Sequence, residues 1–200
     1  MTNVFLCVVP ADAEDHYSIA VEKKMWGVKK DLEYRRTGVK KGDLIILSQI
    51  KKGAVIGKIT EIYDDWKDLS WGYSDIGDNY PIRVKFDEII YNYSYLDWED
   101  ILLDCLLDKN GESYKTRDFP GKALGTALRG SNGQFRKLEP EEYCCIFNEI
   151  KSKRGENIIE DIKNAGINDI KCNNNSNKIV TQDKENIKWW IEKTYESTHE

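Results

Sequence analysis

The chain is predicted to fold as an α+β domain, a curled core of mostly antiparallel strands flanked by helices. Two observations carry this. Short β-branched apolar runs separated by turn residues fill the first 90 positions, and amphipathic helical spacing dominates from residue 96 onward. The order is strand, helix, several strands, then helices, which suits a curled sheet better than a βαβ series. At 200 residues with 40% hydrophobic content, there is enough apolar material for a core of one domain.

Val4 to Val9 is an apolar run closed by Pro10 and reads as a buried first strand. Residues 12–24 take helical spacing, with Tyr17, Ala20 and Val21 on one face. Asp12, Glu14 and Asp15 sit in the first turn, where the helix dipole favours acids. Met25-Trp26-Gly27-Val28 is read as the end of this helix, before a polar loop over residues 29–41. Gly42-Asp43 then turns into a strand over residues 44–48, and Lys51-Lys52-Gly53 reads as a hairpin turn into a strand over residues 54–63. Residues 64–79 form a loop holding Trp66, Trp71 and Tyr73. Ile82, Val84 and Phe86 alternate along the next strand, which begins beside Pro81.

Residues 96–107 are expected to be helical and residues 109–134 loop-rich, with Gly121, Gly125, Gly130 and Gly133. Glu139-Pro140-Glu141-Glu142 starts a helix whose apolar stripe is Tyr143, Ile146, Phe147 and Ile150, and Gly155 stops it. Residues 1–154 are therefore expected to be one domain and residues 155–200 a helical extension. In that extension Ile158, Ile159 and Ile162 mark a short helix, and Asn173-Asn174-Asn175-Ser176-Asn177 a loop. Thr181 caps a last helix with Ile187, Trp190 and Ile191.

The mean hydropathy of -0.63 and the lack of a long apolar run give no expectation of a membrane segment. Five cysteines without CxxC spacing, an adjacent pair and no signal-like N-terminus are read as free thiols in a reducing cytoplasm. With only two histidines, His16 and His199, zinc sites and histidine-based triads have little to work with. The formal net charge is -5, but it is unevenly spread: +4 over residues 1–60, -9 over 61–118, +3 over 119–154 and -3 over 155–200. Two basic segments flank an acidic middle. They form either a basic face or ordinary solvated surface.

Catalytic patterns fail in turn. No P-loop or GxSxG occurs, and Gly121-Lys122-Ala123-Leu124-Gly125 lacks the spacing and hydroxyl of a phosphate loop. Glu149-Ile150-Lys151 has the Glu-x-Lys form of some Mg²⁺ nucleases but falls on a predicted helix. Asp64, Asp65, Asp68, Asp75 and Asp78 match no known calcium loop, so a solvated acidic loop is the simpler reading. No metal, cofactor or catalytic residue is assigned. The unusual feature is six tryptophans, of which Trp26, Trp66 and Trp71 lie in or beside predicted loops. Aromatic faces there either stack on a planar base or cap the core.

Several segments carry a resemblance. They are Trp26-Gly27-Val28, Gly38-Val39-Lys40-Lys41-Gly42-Asp43-Leu44-Ile45-Ile46, Ala54-Val55-Ile56-Gly57-Lys58-Ile59 and Tyr80-Pro81-Ile82-Arg83-Val84. Two later ones are Phe119-Pro120-Gly121-Lys122-Ala123 and Phe135-Arg136-Lys137-Leu138-Glu139-Pro140-Glu141-Glu142-Tyr143. In this order, over residues 3–152, they resemble the EVE family of the PUA-like group, which is related to YTH domains. The resemblance implies a PUA-like barrel and a non-enzymatic reader that extrudes a modified, methylated base into an aromatic-lined pocket. It implies DNA ahead of RNA as the partner, and an associated or fused motor or nuclease subunit of the McrBC type. By the same resemblance Trp26 is one wall, and the backbone of Gly27 and Val28 meets the base edge. Asp15 stands near an asparagine that touches the base in YTH domains, and Ser48 is placed like a YTH serine. Trp71, Tyr73 or Phe86 supplies the second wall. Lys29, Lys30, Arg35, Arg36 and Lys122 would hold phosphates. The rivals are a reader of modified RNA, a Mg²⁺ nuclease, and a module that binds protein through its tryptophans.

Overall fold

Strands whose successive side chains are all apolar must bury both faces, and that requirement sets the architecture. A computed structural model describes residues 1–9, 14–28, 38–49, 53–65, 80–90, 98–129 and 135–172. The chain runs β1 (Val4–Val9), α1 (Glu14–Lys23), β2 (Met25–Val28), β3 (Leu44–Gln49), β4 (Gly53–Asp64) and β5 (Ile82–Ile90). Then come α2 (Trp98–Cys105), a 3-10 turn at Tyr114–Thr116, α3 (Pro120–Arg129), β6 (Arg136–Lys137), α4 (Pro140–Arg154) and α5 (Ile158–Asn164). The six strands form one sheet in the order β2-β5-β4-β3-β1-β6. Among the described residues only β1 and β3 pair in parallel, and the other pairings are antiparallel. The expected α+β class with mostly antiparallel strands is the one observed.

Alternation divides the strand residues between two cores. Val4, Leu6, Leu44, Ile46, Ala54 and Ile56 face the layer made by α2 to α5. Phe5, Cys7, Ile45, Leu47, Val55 and Phe86 face the other side, where α1 places Tyr17 and Ala20. The sheet curls around this second core. α1 packs on both β1 and β2. Those strands are four places apart in the sheet, about 19 Å if it were flat. Phe5 of β1 and Trp26 of β2 nonetheless share one core with Tyr17 and Ala20 of α1.

The bend is made on β4. Its pairing with β5 shifts register between Ile56 and Gly57 and again between Ile59 and Glu61. Gly57 lies where the strands crowd: a Cβ there would sit 2.6 Å from Phe86 Cδ2 and 3.0 Å from the Asp87 carbonyl oxygen. Real side chains do not approach so closely, so the ring of Phe86 takes the space a side chain would need.

The helices on the far face are tied by a carboxylate. Glu142 is buried in the first turn of α4. It accepts hydrogen bonds from the Leu107 backbone N–H at 2.9 Å, from the Glu139 N–H at 3.0 Å and from Arg136 Nη2 at 2.6 Å. One side chain thus fixes the entrance of α4, the exit of α2 and β6. α4 ends at Gly155, as read from the sequence, with the left-handed φ of 73° that glycine accepts without strain. The described part of the C-terminal region joins the same core through Ile158, Ile162, Ile167 and Ile170. The expected loop at residues 173–177 and the last helix fall outside the described residues.

Three expectations are corrected. Met25–Val28 is not a helix end but a strand that pairs in register with β5, from Met25↔Lys85 to Val28↔Ile82. The loop-rich segment contains α3, whose Leu124 and Leu128 reach the core despite Pro120 and Gly121 at its start. Proline is well placed in a first helical turn, where its missing N–H costs nothing. Finally, four cysteines are paired, Cys105 with Cys145 and Cys144 with Cys172, and only Cys7 is free. Burial pushes the Cys7 thiol well above its ordinary range. Among the described residues no helix is long and apolar enough to cross a membrane.

The crowding at Gly57 yields a prediction. Gly57→Ala will lower the unfolding free energy by about 1–3 kcal/mol, as overpacking does. A denaturant titration measures it, and an unchanged midpoint would show that Phe86 moves aside freely.

Candidate nucleic-acid interface

β2 is the terminal strand of the sheet, so its course sets one rim of the curled core. Trp26 and Val28 alternate with Gly27 and point into the α1-covered core, opposite Val84 and Ile82 of β5. Trp26 is 2% exposed. Of the two readings of this aromatic, a face that stacks on a base or one that caps the core, the free protein shows an enclosed ring. Phe86 is 1% exposed and lies on the same face of β5, two residues beyond Val84, the partner of Trp26. The two rings are therefore side-by-side neighbours on one sheet face and do not oppose each other as walls.

The ends of the strands are more informative. Val28, the last residue of β2, pairs with Ile82, the first of β5, and Ile82 pairs with Asp64, the last of β4. Two chain segments therefore leave the sheet at the same end. One carries Lys29, Lys30, Arg35 and Arg36, and the other carries Trp66, Trp71 and Tyr73; all of these lie outside the described residues. The Asp65 N–H donates to the Pro81 carbonyl at 2.6 Å and closes the roots of the second segment together.

α1 brings its first turn to this end. The His16 ring meets Tyr80 edge to face, with centroids 5.4 Å apart and planes at 84°. Asp15 precedes His16 in the same turn; its side chain lies outside the described residues. Tyr80 is pinned from below by Arg83, whose Nη1 donates to the Tyr80 carbonyl. Arg83 is wholly buried, on β5 beside Gly27. Farther along β5, Lys85 lies 4.9 Å from the centre of the Tyr63 ring. Its hydrogen bond to Glu61, chiefly, and the nearby Tyr63 hold its ammonium above the ordinary lysine value.

His16, Tyr80 and Arg83 were not assigned from the sequence. The signal present was an arginine within the otherwise apolar run Pro81-Ile82-Arg83-Val84, which marks a buried charge only once the strand is known to be covered on both faces.

Other assigned residues are placed elsewhere. Ser48 is fully buried and, by the alternation of β3, faces the helical layer with Val8 and Ala54, the opposite side of the sheet from Trp26. Its hydroxyl makes no hydrogen bond among the described residues. Lys122 is exposed on α3, which packs on α2 over that same far face. Ser48 and Lys122 are thus not brought together with Trp26. Glu149 and Lys151 lie on α4, and no cluster of three or more metal-ligating side chains exists among the described residues.

No protein-family model matches the chain, and no curated protein matches it. Among solved structures it is similar to a complex of the YTH domain-containing protein mmi1 with RNA, at 16% identity and a TM-score of 0.41, over 76% of this chain and 87% of that one. It is also similar to the YTH domain of Zygosaccharomyces rouxii MRB1 with N6-methyladenosine RNA, at 13% identity and a TM-score of 0.37, over 62% and 86%. A third is the Toxoplasma CPSF4-YTH domain in apo form, at 12% identity and a TM-score of 0.37, over 65% and 88%. These are likenesses of outline, and the functional reading rests on this chain's own residues.

Because the Trp26 ring is enclosed, Trp26→Ala will cost about 3–5 kcal/mol of stability, the range for emptying a large aromatic site. Chemical denaturation measures the loss. A cost below about 1 kcal/mol would mean that the ring packs loosely enough to serve as an open wall.

Proposed function

We propose that this chain is a non-enzymatic reader of a methylated nucleobase, in DNA in preference to RNA. The base enters at the rim where β2, the β4–β5 junction and the first turn of α1 converge. The observation that carries this reading is the shared register of Val28, Ile82 and Asp64. It roots a segment with four cations and a segment with two tryptophans at one place, beside the His16–Tyr80 pair. Basic side chains next to aromatic faces meet the two needs of an extruded nucleotide, a neutralised phosphate and a stacked base.

Extrusion costs a few kcal/mol of stacking, which stacking against aromatic side chains offsets at roughly 1–3 kcal/mol per base. Trp26 is covered in the free protein, so a base that reaches it must displace its cover, and binding carries a conformational step. In this reading Tyr80 and His16 meet the base first and Trp26 lies beneath it. Asp15, Trp71 and Tyr73 belong to the segments at the same rim. A buried methyl contributes only about 0.8 kcal/mol, so discrimination requires that the unmodified base leave part of the pocket unfilled. Such a module would serve an associated motor or nuclease subunit by delivering it to modified sites.

Fluorescence polarisation with otherwise identical DNA and RNA oligonucleotides, each unmodified, methylated or hydroxymethylated, tests this. The methylated DNA is expected to bind best. Tyr80→Ala should cost roughly 1–3 kcal/mol and remove the preference for the methylated base. Replacing Arg35 and Arg36 by Ala should weaken all oligonucleotides alike and flatten the salt dependence. Equal affinity for modified and unmodified oligonucleotides would refute the reading; tighter binding of methylated RNA would refute its DNA part.

A further inference from the structure

We propose that the Cys144–Cys172 disulfide is a thiol-exchange site that takes a small anionic thiol, with Cys172 as the sulfur modified. The two adjacent cysteines of α4 bond in different directions. Cys145, partly exposed like Cys172, joins Cys105 of α2, which is 1% exposed, and both ends of that bridge are fixed in helices. Cys144, 6% exposed, joins Cys172, which lies in irregular chain after α5.

Cys172 is partly exposed and lines an open cavity of about 210 Å³ between α4 and α5, with Asn148, Lys151, Asn157 and Lys163. Among the described residues the charged side chains lining it are both lysines, and exposed Lys171 is next in sequence to Cys172. A positive cavity raises the local concentration of an anion. An attacking thiolate needs access to one sulfur of the bridge, with the other departing as the leaving group. The buried Cys144 offers no such access, and Cys172 does.

The step balances without a further oxidant or reductant. The thiolate RS⁻ attacks Sγ of Cys172, an RS–Sγ bond forms and the Cys144–Cys172 bond breaks. The electron pair leaves on Sγ of Cys144, which takes a proton from solvent. A second thiol can then displace the first as RSSR and leave Cys172 reduced. Ile167 and Ile170, buried in the core, hold this part of the chain independently of the bridge.

The experiment exposes the full oxidised chain to reduced glutathione, which is anionic, to neutral 2-mercaptoethanol and to cationic cysteamine, at equal thiolate concentration. Acid quenching and peptide mass mapping locate the adduct. The glutathione adduct is expected on Cys172, forming roughly tenfold faster than the cysteamine adduct, with the gap closing at high salt. Lys151→Glu with Lys163→Glu should abolish the difference between thiols. First modification at Cys105 or Cys145, equal rates for the three thiols, or no adduct before unfolding would each overturn the proposal. Mapping of the unmutated chain decides it even if the double variant does not fold.

Discussion

The missing side chain at Gly57 is the constraint on which the rest of the structure depends. β4 must pair with β3 through its first half and with β5 through its second, and it turns between them at register shifts beside Gly57. The Phe86 ring fills the space above that glycine. A side chain at position 57 would push against Phe86, a member of the core that also holds Trp26. The register of the neighbouring strands β2, β5 and β4 brings the ends of β2 and β4 and the start of β5 to one rim, from segments far apart in sequence.

The two sides of the sheet divide the work. The side packed by α2 to α5 is a conventional core, anchored by the buried Glu142 and by two disulfides that join α4 to α2 and to the chain after α5. Removing Glu142 would leave Arg136 without its carboxylate, which is why such pairs are costly to break. The other side holds Trp26, Phe86 and one covering helix. Its rim gathers a histidine–tyrosine pair and the roots of the basic and tryptophan-bearing segments.

Much of the fold was legible. β1, β3, β4 and β5 announce themselves as β-branched runs between turn residues, and α4 by its proline start, apolar stripe and glycine stop. β2 was not legible because four residues carry too little periodicity, and Trp26 followed by a glycine reads equally well as a helix end. α3 was hidden by Pro120, Gly121 and Gly125, which look like loop signals until Leu124 and Leu128 are seen to reach a core. The disulfides were hidden for a different reason, since five cysteines allow many pairings and spacing does not choose among them. For the site, order in the chain does not reveal the sheet face. Ser48 lies on a well-read strand and Trp26 on the one that was missed, and they point to opposite sides. The burial of Trp26 matches the core-capping alternative, which the sequence left open beside the pocket wall.

The central claim is that ligand meets the protein at the Val28–Ile82 rim above Trp26. Nitrogen-labelled protein titrated with a methylated single-stranded DNA oligonucleotide, followed by amide and indole chemical shifts, tests this most directly. The account predicts saturable shifts at His16, at Trp26 to Val28 and at Tyr80, including the Trp26 indole N–H, with little change in α3 and α4. Shifts confined to Lys122 and the helical face, with Trp26 silent at saturation, would contradict it.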